Sequence, residues 1–264
     1  MKILLSLNDK FTKRTPRDLI NLIQENDVSN SVQGFEIYFN LDNDEEVKYF
    51  EEFISLSIKN NYLIQFHSIQ TEDIDKQKQY LDFYNEIAKK LDYPLKVVFH
   101  SFDIGSIEEN INYTSEYMAE LLNYVYKNKF NLMLSIENLN ARDNNRLNKE
   151  QIIKIIANNN DLMFTYDIGH EILSYGNIID LNEILIRKLV NVHLHTFLYD
   201  NDHRSLYSKD PNKSKWIKAI LYLKSLNYDE TIVLEYDLYD MIWEDYEEKL
   251  LNYIESAKTI KDYF

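Results

Sequence analysis

The sequence predicts an α/β fold, a closed parallel (β/α)8 TIM barrel that occupies residues 1–264 as a single domain. Three observations carry this expectation. Short apolar runs recur along the chain at intervals of about thirty residues, the spacing of one strand plus one helix. Amphipathic stretches at helical spacing fill the gaps between them. The rival architecture, a doubly wound open sheet, normally carries a glycine-rich phosphate turn after its first strand. Here the first run continues into Asn8-Asp-Lys-Phe-Thr12, with no glycine.

The runs place strands near 2–7, 33–39, 62–66, 95–100, 131–137, 161–166, 190–195 and 231–235. Most are too short and too continuously apolar for surface helices, so both faces of the sheet should be covered. The helices between them are marked by their ends and stripes. Thr15-Pro16 reads as an N-cap followed by proline at the first helical position. The acidic run Asp42–Glu46 reads as a solvated helix start. Leu81, Tyr84, Ile87, Ala88 and Leu91 form one core-facing stripe. Ser106-Ile-Glu-Glu109 is a capping box, and Ile107, Ile111, Met118, Leu121, Leu122 and Val125 continue it at helical spacing. Asp210-Pro211 opens a seventh helix, and Leu250, Leu251, Ile254 and Ala257 mark the last. The tight spacing leaves room for one helix per unit and little else.

Composition narrows the function classes. With 4 glycines and 3 prolines in 264 residues, long linkers are not expected, and no domain boundary stands out. The net charge of −15 works against binding a phosphodiester backbone, which is held through clustered Lys and Arg. A local basic groove would still be compatible with it. There is no cysteine, which excludes disulfides and thiol catalysis, so any metal must be held by His, Asp or Glu. The opening Met1-Lys-Ile-Leu-Leu-Ser-Leu-Asn8 is too short for a signal h-region. No stretch approaches the roughly 18 apolar residues of a membrane span. A cytoplasmic protein without a membrane partner is the expectation.

The histidines carry the chemistry. All six sit at or just beyond the ends of apolar runs, and none is expected in a helix: His67, His100, His170, His193, His195 and His203. Two further runs end in a carboxylate, at Glu137 and Glu235. In a parallel barrel the C-terminal strand ends share one mouth. Glu137, Asp167, His193 and Glu235 would then meet there, one each from strands five to eight. Three carboxylates and an imidazole suit a divalent ion such as Mn²⁺, Mg²⁺ or Co²⁺. Taken singly, each carboxylate could equally be salt-bridged or capping. His193 and His195 are two apart and face one side of a strand, so one could bind metal and the other substrate. His195 could instead donate to a backbone carbonyl. His67 and His100 could bind another metal, hydrogen-bond a substrate, or line the mouth. Arg204 could hold a substrate hydroxyl or phosphate, or face solvent. Glu36 could line the mouth or pair with a helix. Ser68 and Ser101 stand beside histidines but lack the glycines of a nucleophile elbow.

Glu137-Asn138 after the fifth run, Asp167-Ile-Gly-His170 after the sixth, His193-Leu-His195 on the seventh and Glu235 on the eighth resemble the xylose isomerase-like barrels. The resemblance covers nearly the whole chain. That superfamily includes sugar-phosphate isomerases and epimerases, ketose 3-epimerases and AP endonuclease family 2 enzymes. The resemblance implies a metal-dependent isomerase or epimerase of a small sugar or sugar phosphate. Glu137, Asp167, His193 and Glu235 would hold one divalent metal (Mn²⁺, Mg²⁺, Co²⁺ or Zn²⁺), and Glu137 and Glu235 would form the acid–base pair. His170 would contact substrate, with His67, His100, His195, His203 and Arg204 as further substrate-binding candidates.

Similarity to endonuclease IV-like members implies an alternative, a phosphodiesterase with up to three Zn²⁺. His67, His100 and Glu137 would match one ion, the four residues above a second, and His170 with His203 a third. The chain departs from that branch at four places. Asn201 stands where that branch has Asp, with Asp202 out of register. Leu206-Tyr-Ser-Lys209 replaces a Gly-x-Gly, Ser101-Phe102 replaces a Pro-Gly, and Thr196 follows the His-x-His in place of Asp. A non-catalytic barrel that keeps a structural metal is the third possibility.

Overall fold

The computed structural model describes residues 1–7, 14–142, 145–178, 180–198, 201–206, 211–236 and 246–264. The expected stretch Asn8–Thr12, most of Leu206–Lys209, and Asp210 fall outside them.

Ten strands and nine helices are present among the described residues. In chain order they are β1 (Lys2–Leu7), α1 (Pro16–Asn26), β2 (Gly34–Ile37), α2 (Asp44–Lys59), β3 (Leu63–His67), α3 (Ile74–Ala88) and β4 (Leu95–Phe99). Then follow α4 (Ile107–Asn128), β5 (Leu132–Glu137), α5 (Lys149–Asn158), β6 (Met163–Asp167), α6 (Ile168–Tyr175) and α7 (Glu183–Lys188). The chain finishes with β7 (Leu189–Leu194), β8 (Thr196–Leu198), β9 (Asn201–Arg204), α8 (Lys213–Ser225), β10 (Thr231–Leu234) and α9 (Tyr246–Lys261). Eight of the strands form a closed barrel in the order β1-β10-β7-β6-β5-β4-β3-β2, as the apolar runs predict.

Helix ends follow the local signals. Thr15 caps α1 by accepting from the Asp18 amide, with Pro16 at the first helical position. Ser106 and Glu109 make the capping box of α4 in both directions. Asn43 caps α2 just inside the acidic run. The expected opening at Asp210-Pro211 differs: α8 begins at Lys213 behind Asn212, whose side chain makes no capping bond.

Two features go beyond one helix per unit. The stretch between β6 and β7 holds two short helices, α6 and α7. β8 and β9 form an antiparallel hairpin beyond β7. One expectation is corrected: His170 lies in the first turn of α6, not outside a helix. The Asp167 side chain accepts from the His170 amide and so starts the helix on the residue that ends the strand.

The chain divides into two compact units, Met1–Ile64 with Val192–Phe264, and Gln65–Asn191. In the first unit, β1 pairs in parallel with β10 and β2, and Phe35 packs edge-on against Phe53 with ring centroids 4.9 Å apart. β2 depends on Gly34. A Cβ there would lie 2.3 Å from the Leu63 carbonyl oxygen, so only glycine allows the two backbones to approach this closely. In the second unit, β3 to β6 pair in parallel, and Phe66 stacks on Tyr84 at 4.4 Å. A buried ion pair, Lys149 Nζ to Glu171 Oε1 at 2.6 Å, ties α5 to α6.

Candidate functional site

Within the unit Gln65–Asn191, Glu137 is the focus. It is the last residue of β5 and is fully buried. Its Oε2 lies 3.4 Å from Nε2 of His67, the last residue of β3, and 3.4 Å from Nε2 of His100, just past β4. The two imidazole nitrogens are 3.0 Å apart. The other oxygen of Glu137, Oε1, is 3.4 Å from His170 Nδ1, which in turn lies 3.5 Å from Asp167 Oδ2. All five side chains therefore belong to one cluster at strand ends. His100 keeps its imidazole partly exposed, so the cluster is reachable from outside.

These donors fit a metal ion. Ligands about 2.1 Å from an ion are separated by about 3.0 Å at right angles and about 3.4 Å in a tetrahedron. The separations among His67, His100 and Glu137 fall at those two values. The side chains form one of the His, Asp and Glu groupings that could hold a metal. Hydrogen bonds hold the carboxylates behind them. Asn138 Nδ2 donates to the Asp167 carbonyl at 3.0 Å, and the Asp167 amide donates back to Asn138 Oδ1 at 2.9 Å. This reciprocal pair locks the end of β5 to the end of β6. In the sequence, the only mark of this role for Asn138 is its place directly after the strand-end Glu137.

The unit formed by Met1–Ile64 and Val192–Phe264 carries a second cluster. His193, fully buried in β7, directs Nδ1 to Glu235 Oε2 at 2.9 Å. Its Nε2 lies 3.1 and 3.2 Å from the two oxygens of Glu36 in β2. Glu36 thus pairs with an imidazole, which neither earlier option for it named. Glu235 follows β10 directly. Its amide donates to the Leu194 carbonyl at 3.2 Å, and the next residue, Tyr236, stacks on Tyr253 at 4.3 Å. These contacts fix a carboxylate that is still partly open to solvent.

His195 and His193 part company. His195 lies just beyond β7 and stacks on His203 with centroids 4.3 Å apart. Its Nδ1 accepts from the His203 amide at 3.0 Å and lies 3.2 Å from the Thr196 carbonyl. His203 has φ of 53°, a left-handed conformation that costs a non-glycine residue about 1–3 kcal/mol. The stack and the amide bond hold it there, with Nε2 3.7 Å from Glu235 Oε2. Arg204 ends β9 half-buried, and its Nε meets no acceptor among the described residues. Ser68 serves the scaffold: Gln77 Nε2 donates to its Oγ at 2.8 Å. In the unit formed by Met1–Ile64 and Val192–Phe264, burial pushes the Tyr228 hydroxyl well above the usual tyrosine pKa.

The profile of the xylose isomerase-like TIM barrel family matches residues 10–263. The chain belongs to that family. No curated protein matches it in sequence. Among solved structures, it resembles D-allulose 3-epimerase from Methylomonas sp. with a TM-score of 0.70 at 13% identity, covering 100% of this chain and 98% of that one. D-Psicose 3-epimerase from Clostridium cellulolyticum H10, solved with D-tagatose, gives 0.64 at 13% identity, covering 99% and 97%. The IOLI protein, solved with a binding zinc atom, gives 0.66 at 14% identity, covering 100% and 99%. At these identities the likeness establishes the shared barrel; the chemistry must be argued from the residues.

Proposed function

We propose that this family member is a divalent-metal-dependent isomerase or epimerase of a small sugar or sugar phosphate. The observation that carries the reading is a pair of strand-end glutamates, Glu137 and Glu235, each seated against imidazole nitrogens. Glu137, Asp167, His193 and Glu235 would hold the ion. When bound, a divalent ion would polarise a sugar carbonyl. One of the two glutamates would take the proton α to that carbonyl, and the other would return one from the opposite face. The reserve of negative charge in the chain also suits a small neutral or metal-bridged substrate better than a nucleic acid. Arg204, whose buried Nε meets no acceptor among the described residues, would bind a hydroxyl or phosphate oxygen. His170, His195, His203, His67 and His100 would complete the substrate contacts. Solved barrels of similar fold act on, or were solved with, D-allulose and D-tagatose, which supports a carbohydrate ligand here.

One observation favours a second reading. The His67–His100–Glu137 grouping has the spacing of a metal site of its own. A phosphodiesterase with up to three Zn²⁺ would use it. Metal content per chain separates the two: near one supports the isomerase, near three the phosphodiesterase. Turnover should be assayed in parallel on a panel of ketoses and their phosphates and on an abasic-site oligonucleotide. Metal binding without turnover of either class would sink both enzymatic readings and leave a metal-holding barrel.

A further inference from the structure

His193 is gripped on both sides of its ring. Nδ1 faces Glu235, and Nε2 faces Glu36. Glu36 has no place in the acid–base pair or the ligand set, yet it is a fully buried carboxylate on the short strand β2. Burying a carboxylate is costly unless it accepts strong hydrogen bonds. Both of its oxygens lie within 3.2 Å of one nitrogen. Its strand is brought in by Gly34, two residues upstream, where any Cβ would strike Leu63.

We propose that Glu36 is a positioning residue for His193: its carboxylate accepts the Nε2 proton and thereby commits Nδ1, the nitrogen facing Glu235, to the metal. The inference rests on the reading of His193 as a metal ligand. A neutral imidazole has one proton and one lone pair. A carboxylate fixed at Nε2 selects the tautomer protonated there. It also sets the ring plane, and it makes the remaining nitrogen a stronger donor. Without Glu36 the ring could turn over or protonate at Nδ1, and both block coordination on the Glu235 side.

The test uses the full chain and zinc alone as the probe. Zinc affinity is measured by chelator competition for the wild type, Glu36→Leu, Glu36→Gln and His193→Ala. Outer hydrogen-bond partners of metal-bound histidines typically contribute about 10–100-fold to affinity. Glu36→Leu should weaken zinc binding by that factor. Glu36→Gln keeps an oxygen that can accept from Nε2 and should restore most of it. In zinc-loaded protein, ¹⁵N-resolved NMR should show an exchange-protected Nε2–H on His193 in the wild type and Glu36→Gln. If His193→Ala weakens binding but Glu36→Leu does not, the positioning role is wrong while the ligand survives. If His193→Ala leaves affinity unchanged, the ligand reading itself falls, and the positioning role with it. Should Glu36→Leu fail to fold, the wild-type spectrum decides: a proton on Nδ1 overturns the proposal.

Discussion

Removing the ammonium of Lys149 should destabilise the protein far more than removing both members of its ion pair. Lys149 and Glu171 are 3% and 1% exposed, and Nζ lies 2.6 Å from Oε1. At an effective dielectric near 20, two unit charges at that distance attract by about 6 kcal/mol. Withdrawing two ions from water costs several kcal/mol each, so the intact pair contributes little net. Lys149→Met leaves the Glu171 carboxylate buried opposite a thioether. That should cost about 3–5 kcal/mol. For a chain of this size the loss corresponds to a fall in Tm of about 10 °C. Lys149→Met/Glu171→Leu buries two apolar side chains of similar volume and should recover most of it. Urea denaturation of the metal-free protein gives both values. Under the proposed function, in which His170 of α6 contacts substrate, the single variant should loosen substrate binding too. A loss below about 1 kcal/mol in the single variant would show that water reaches the pair and refute the argument. A double variant as unstable as the single one would place the energy outside the ion pair, in the packing of the lysine stem or in the approach of its Nζ to the Tyr175 ring, 5.9 Å from the centroid.

Glu137→Gln and Glu235→Gln should each lower turnover by at least the 10²–10⁴-fold typical of lost acid–base catalysis, roughly, with the circular-dichroism spectrum unchanged. Deuterium entering substrate from D₂O in the wild type, and not in either variant, would confirm proton exchange. His67→Ala should be mild for an isomerase, in which His67 lines the pocket, and nearly as severe as Glu137→Gln for a phosphodiesterase, in which it binds zinc. Gly34→Ala should cost about 1–3 kcal/mol in denaturant unfolding, because the new methyl would sit 2.3 Å from the Leu63 oxygen. A wild-type midpoint would mean that β2 can shift freely. Tyr228 supplies a pH test. Its hydroxyl, which donates to the Thr231 carbonyl at 2.6 Å, has a pKa raised chiefly by burial. A raised folded-state pKa gives stability that is complete below the unfolded value near 10 and lost as pH climbs through the folded one. Tyr228→Phe should flatten that alkaline decline and cost about 1–2 kcal/mol at neutral pH. An identical pH profile in the variant would refute the assignment.

The barrel was legible because its signals are local. Each strand is a short apolar run, and burial on both faces needs no partner to be recognised. The caps at Thr15 and Ser106 are equally local, since donor and acceptor lie within three residues. The doubled helix before β7 and the β8–β9 hairpin were not legible. Residues 168–188 carry no proline to divide α6 from α7; the break is marked only by Gly176 after α6 and by Asn182, which caps α7 by accepting from the Leu185 amide at 2.9 Å. Between β8 and β9 the sequence reads Tyr199-Asp200, without the Asn-Gly or Asp-Gly pair that announces hairpin turns.

The site divides along the same line. Sequence could place Glu137, His67 and His193 at strand ends, because a polar residue closing an apolar run is visible without knowing the fold. It could not say which atom each would face. Residue type and strand position are alike for His67 and His193, yet one imidazole lies against another imidazole and a glutamate, and the other lies between two carboxylates. Those partners bear on which ring nitrogen carries a proton and which can accept a ligand. Glu36 illustrates the limit: its partner lies 157 positions away, and the pairing depends on Gly34 admitting β2 against Leu63. A chemical role inferred from a residue's place at a strand end thus remains incomplete until the group on the far side of its ring is known. For His193 that group is a carboxylate, which makes its tautomer a measurable consequence of the fold.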